Sequence, residues 1–193
     1  MLLDAYDLPV TTSSPQALTT YDLAVDAQLA WKASATGLFR RAIELDPQLA
    51  LAHAGLALCL GHDDLGAEAV AAAEAGRAAA AAVKASPRER AHVEAVALFV
   101  TGRWLECEQL LREHVKTYPR DIFVAWRLYE MFFWEGRPAD MLALTTTLIE
   151  RYPADAYMHG MHAFAIGESG RFGEAARLAE VALARNPEDA WGV

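Results

Sequence analysis

Three stretches of this chain repeat one another at a spacing of 34 residues, and that period constrains the fold more than any other feature. Gly102-Arg103, Gly136-Arg137 and Gly170-Arg171 stand 34 apart, as do Pro119, Pro153 and Pro187, and Asp121, Asp155 and Asp189. Glycine supplies the left-handed residue that turns one helix into the next, and proline just past a helix stops it. Between these marks the apolar residues recur at helical spacing. Each unit is therefore a helical hairpin. A single hairpin cannot bury its apolar face, so consecutive copies must stack into a continuous core.

The period and its punctuation resemble the tetratricopeptide pattern. The reading is an all-α, tetratricopeptide-like superhelix of about five helical hairpins. An extended lead-in over 1–13 precedes a single repeat domain over 14–193, with units at about 14–47, 48–87, 88–121, 122–155 and 156–189. Ser14-Pro15 starts the first helix, since serine caps and proline suits the first turn. Ser86-Pro87-Arg88-Glu89 reads as a capping box. Ala35, Phe39 and Ala42 have the spacing of a second helix, and Gly55 stands where the next first helix needs a small residue. Pro47 to Pro87 is 40 residues, which predicts a longer turn at Gly61–Gly66. A new helix is expected from Glu188.

Composition narrows the class. The chain is 54% hydrophobic and 22% charged, which suits a folded chain rather than a disordered one. Its net charge is −9, with no basic run, which argues against nucleic acid. Cys59 and Cys107 form no C-x-x-C pair and no disulfide framework, which fits a reducing compartment. The first residues lack a basic segment followed by an apolar one, and no long uncharged apolar run occurs, so neither a signal peptide nor a membrane span is expected. The expected location is cytoplasmic.

Beyond the generic repeat, several segments resemble the tetratricopeptide repeat protein 38 family. They are Asp7-Leu8-Pro9-Val10-Thr11-Thr12-Ser13-Ser14, Tyr21-Asp22, and the run from Phe39 to Pro47. Further on they are Gly160-Met161-His162-Ala163-Phe164-Ala165, Glu168, Phe172, Glu174-Ala175, and Asn186-Pro187-Glu188-Asp189-Ala190-Trp191. Members continue past Asp-Ala-Trp with a histidine-containing helix and a second half of hairpins, which this chain lacks. The resemblance is thus to a bacterial-type member in its N-terminal half only. It implies no catalytic residues.

A ligand is expected on the concave face lined by the first helices. Spacing puts Phe123, Trp126, Glu130, Phe133 and Trp134 there, with Tyr157, Gly160, Phe164 and Glu168 in the next unit and Glu89, His92, Val96 and Phe99 in the preceding one. The ligand-binding set is Phe99, Phe123, Trp126, Glu130, Phe133, Trp134, Tyr157 and Phe164. That face is aromatic and nearly without cations, so an apolar segment fits it better than a peptide carboxylate. A helix apolar all round, as over 122–134, also fits a groove covered by the lead-in or by a second copy.

Polar chemistry is sparse. His92 and His162, with Glu130, form the alternative polar site. His159 and His162 share a helix face but lack further metal ligands. His62-Asp63-Asp64 lies in the long turn and could do acid–base work or bind a cation. No phosphate loop, nucleophile elbow or zinc-protease motif occurs. Neither a metal nor a cofactor is implied.

The leading reading is a non-enzymatic scaffold for a protein or peptide with an apolar segment, with self-association near Trp191 as an additional route. It has no nucleic-acid or membrane partner. The alternative is a small-molecule-binding protein or enzyme with a pocket inside the helical cradle.

Overall fold

A computed structural model describes residues 1–63 and 65–192. Asp64, the second carboxylate of the His62-Asp63-Asp64 turn, lies outside them. Among the described residues the chain forms ten α-helices and one two-stranded ribbon. They divide into two compact units, Met1–Asp121 and Ile122–Val193.

The first unit opens with a ribbon of β1 (Leu2–Leu3) and β2 (Pro9–Val10), paired antiparallel with Leu2 opposite Val10. Its loop is held by the Asp4 carboxylate, which accepts from the Tyr6 and Leu8 amides at 2.9 Å each. Three hairpins follow: α1 (Pro15–Leu29) with α2 (Ser34–Leu45), α3 (Ala50–His62) with α4 (Gly66–Ala82), and α5 (Pro87–Val100) with α6 (Trp104–Thr117). Helix starts follow the caps. Ser14 accepts from the Ala17 amide at 3.2 Å, and the Ser86–Glu89 capping box closes in both directions.

Stacking proceeds as the repeat demands. Helix α2 packs on α3, α3 on α5, and α4 on α5. The alanines and glycine of α4 that face inward (Ala69, Ala72, Ala73, Gly76, Ala79 and Ala80) recur at helical spacing, and their small size allows close approach. Leu29, Phe39, Leu49, Leu51, Leu58 and Leu111 form the fully buried centre. Each contributes roughly 1.5–3 kcal/mol by leaving water.

The second unit holds α7 (Ile122–Trp134) with α8 (Pro138–Leu148), a 3₁₀ turn (Ile149–Arg151), and α9 (Ala156–Glu168) with α10 (Phe172–Arg185). Asp155 caps α9 by accepting from the Met158 amide at 2.8 Å. The Tyr129 hydroxyl donates to the Met161 carbonyl at 2.7 Å and ties α7 to α9.

Two expectations need correction. The added length of the second hairpin is not a longer turn: α3 runs to His62, the connection is only 63–65, and α4 takes 17 residues. No helix starts at Glu188 among the described residues. Asp189 instead accepts from the Trp191 amide at 3.3 Å, and Trp191 turns inward.

Candidate functional site

In the first unit the lead-in is fastened to the hairpin ends by hydrogen bonds. The Glu89 carboxylate accepts from the Thr11 amide and hydroxyl at 2.7 Å each, and from the Ser86 amide at 2.8 Å. The Thr12 hydroxyl donates to Asp46 at 2.6 Å. The Arg88 guanidinium donates to the Pro9 carbonyl and to Asp121, both at 2.9 Å.

Asp121 is the hub of this region. Its Oδ2 also lies 2.9 Å from His114 Nε2 and 3.7 Å from His92 Nδ1. Burial alone would raise the Asp121 pKa, but the His114 hydrogen bond, the nearby His92 and the Arg88 charge hold it well below the carboxylate range. All four side chains are buried. The arrangement can brace the lead-in but cannot reach a ligand. His92, expected in a polar site, is part of this brace.

The open surface of the unit lies at the turns inside each hairpin. Trp31 stacks on His62 with centroids 5.9 Å apart, His62 meets Phe99 edge-on at 6.4 Å, and Phe99 stacks on Trp104 at 6.3 Å. One aromatic row thus joins three hairpins. Trp31 is 41% and Trp104 55% exposed.

Trp31 is in the left-handed region, at φ 54°. The matching turn residues of later hairpins are Gly102, Gly136 and Gly170, at 75°, 65° and 84°. The closing hydrogen bonds match too: Trp31 N to Gln28 O at 3.0 Å and Gly102 N to Phe99 O at 3.0 Å. A bulky side chain in this conformation costs of order 1 kcal/mol, and such strain clusters at functional positions.

Behind Trp31 is a cavity of about 280 Å³, lined by Gln28, Lys32, Thr36, Cys59, His62 and Asp63 among others. The Cys59 thiol donates to Gln28 Oε1 at 2.9 Å. Burial pushes that thiol up to about 12, so it stays protonated and is no nucleophile.

In the second unit the expected groove residues divide sharply. Phe123, Trp126, Glu130 and Tyr157 are buried, Trp126 at 0% exposure. They are core, because α7 is apolar on nearly every side and Glu130 finds Arg127 one turn before it and the Trp134 indole at 3.2 Å. Phe133 and Phe164 are half-buried, and Trp134 is 67% exposed.

Trp191 fills the space between those rings. It meets Tyr129 at 5.0 Å, Phe164 at 5.1 Å and Phe133 at 5.3 Å, each edge-on. It is therefore an internal plug. His162 Nδ1 lies 3.0 Å from Thr145 Oγ1. That hydroxyl already donates to the Met141 carbonyl at 3.0 Å, so the histidine is the donor. Glu130 and His162 thus have different partners within this unit. No cluster of three metal-ligating side chains occurs among the described residues.

Matching positions on the second helices complete the description. Cys107, Leu111 and His114 of α6 are buried, as are Met141, Thr145 and Leu148 of α8, 34 residues on. In α10 the same positions are Ala175, Ala179 and Ala182, and only Ala182 is buried. The fold is tetratricopeptide-like. No protein-family model matches the chain. Among solved structures it is similar to YrrB, described as a TPR protein with an unusual peptide-binding site. The identity is 14%, over 93% of this chain and 90% of that one, with a TM-score of 0.49. No helix among the described residues is long and apolar enough to cross a membrane.

Sequence reasoning missed the Trp31 row. The signal was available: Trp31-Lys32 holds the place of Gly102-Arg103 in the first hairpin. The Gln28–Cys59 contact had no local signal.

Proposed function

We propose that this tetratricopeptide-like chain is a non-enzymatic scaffold that binds a protein or peptide with an apolar segment. The observation that carries the reading is the row Trp31–His62–Phe99–Trp104, in which large rings stand half in water across three hairpins. Exposed aromatic surface of this kind marks interaction sites, and tryptophan is enriched among residues that dominate binding energy. Of the residues expected to hold a ligand, Phe99 belongs to this row, and Phe133, Trp134 and Phe164 keep accessible surface in the second unit.

The finer reading is membership of the tetratricopeptide repeat protein 38 family, on the segments ending in Asp189-Ala190-Trp191. It goes with a cytoplasmic location, which two buried free thiols suit. Affinity capture from a lysate tests the scaffold. Trp104→Ala and Trp31→Ala, both still folded by circular dichroism, should each lose partners that the wild-type chain retains. Retention of every partner by both variants would overturn the reading.

A further inference from the structure

Of the four rings in the row Trp31–His62–Phe99–Trp104, only the imidazole can carry a charge. It also stands in the middle. His62 stacks on Trp31 at 5.9 Å and meets Phe99 edge-on at 6.4 Å, so the two ends of the row join through it.

Side chains behind the ring fix which of its nitrogens holds the proton. The Thr36 hydroxyl donates to the Cys59 sulfur. With that acceptor role filled, the thiol donates to Gln28 Oε1 at 2.9 Å. Gln28 is buried, and the contact orients its carboxamide with Oε1 toward the thiol and Nε2 toward His62. Nε2 lies 3.5 Å from His62 Nδ1, and an amide nitrogen only donates. Nδ1 is therefore the acceptor, the other ring nitrogen carries the hydrogen, and His62 is neutral in this arrangement.

Protonation undoes the arrangement. An imidazolium has N–H groups on both sides, so Nδ1 would face the Gln28 amino group as donor against donor. Turning the carboxamide would set that amino group against the thiol instead. The ring has room to leave, because the cavity of about 280 Å³ opens beside it. Among the charged and titratable groups lining that cavity, Asp63 favours an imidazolium and Lys32 opposes it, while the Cys59 thiol stays neutral. Asp63 is exposed, so a charged ring is drawn outward and away from Trp31 and Phe99.

We propose that His62 is a pH switch within the partner-binding row: neutral, it joins the rings into one surface, and protonated, it leaves its place and releases the partner. Gln28 and Cys59 are positioning residues that hold the neutral form. The inference rests on the scaffold reading of the same row.

Two measurements on the full chain test it. Nitrogen-15 NMR of the histidine rings needs no partner, and at neutral pH it should find His62 with its proton on Nε2. Cys59→Ala should give a mixture of tautomers, and Cys59→Ser, which keeps a donor, should restore the single form. For the second, proteins captured by the immobilised chain are washed at about one pH unit below the ordinary histidine value, where about a tenth of the ring is neutral. Apparent affinity should fall about tenfold there, in proportion to the competent fraction. His62→Phe keeps a ring that cannot charge, and should hold the same proteins through the wash. A proton on Nδ1, a tautomer indifferent to Cys59→Ala, retention by the wild-type chain, or equal release from His62→Phe would overturn the inference. Capture that survives both Trp31→Ala and Trp104→Ala overturns the scaffold reading instead and leaves the tautomer result standing, so the two fail separately.

Discussion

The ring of Phe39 occupies the place where a β-carbon on Gly55 would stand, with the nearest ring carbon 2.3 Å from that position. Phe39 on α2 is fully buried, so its ring cannot swing into water. Gly55→Ala should therefore destabilise the first unit by about 1–3 kcal/mol through overpacking. Gly37→Ala, on the exposed side of α2 with open space around it, should instead stabilise by up to about 1 kcal/mol through helix propensity. Urea unfolding of both variants checks the pair.

Asp121 joins Arg88, His114 and the lead-in, and its removal leaves a buried guanidinium short of its ion-pair partner. Asp121→Asn should cost about 3–5 kcal/mol at neutral pH. The folded pKa lies below the unfolded one. The contribution is thus full above the ordinary carboxylate value near 4 and decays as pH falls from there through the folded value. Thermal unfolding between pH 2 and pH 7, a range of order set by that shift, should show the gap between wild type and variant narrowing only at the acid end.

Asp189 behaves in the opposite sense. Its Oδ2 is buried with no hydrogen-bond partner, against the α-carbon of Gly160. Burial pushes its carboxyl up to about 6. The folded pKa exceeds the unfolded one, so stability is full below the ordinary carboxylate value near 4, is lost as pH rises from there through about 6, and stays low above it. Asp189→Asn should flatten this dependence and raise stability at pH 8 by about 1–2 kcal/mol. Its amide oxygen still accepts from the Trp191 amide. Melting temperatures of the two chains from about pH 4 to about pH 6, the interval this shift spans, provide the check.

Trp31→Gly separates strain from binding. Glycine relieves the left-handed conformation but loses the stack on His62, and the two effects oppose each other. Stability should stay within about 1 kcal/mol of wild type. Partner binding should fall by more than about tenfold, the effect of losing an aromatic anchor. A chemical-denaturation curve and a capture assay on one preparation give both numbers.

The hairpins were legible because glycine, proline and aspartate mark the same points of each turn. The end of the chain was not. Asn186-Pro187-Glu188-Asp189 shares its proline and aspartate with the Tyr152-Pro153-Ala154-Asp155 turn before α9, but there Asp155 caps a helix, whereas Asp189 accepts from the Trp191 amide and the indole packs on Tyr129, Phe133 and Phe164. Spacing could group Phe123, Trp126 and Glu130 on one line of α7, but whether that line faces water depends on elements distant in sequence. The Asp121 cluster was hidden for the same reason: Arg88, His92 and His114 converge only after three helix ends meet.

Under the proposed scaffold role, partners meet the aromatic row at the hairpin turns, while Trp126 serves the core. Fluorine NMR of the chain labelled with fluorotryptophan at its five tryptophans tests it directly. The spectrum is recorded with and without a protein captured by the wild-type chain. The Trp31 and Trp104 signals should shift and that of Trp126 should stay unchanged. Unmoved Trp31 and Trp104 signals beside a shifted Trp126 would contradict it.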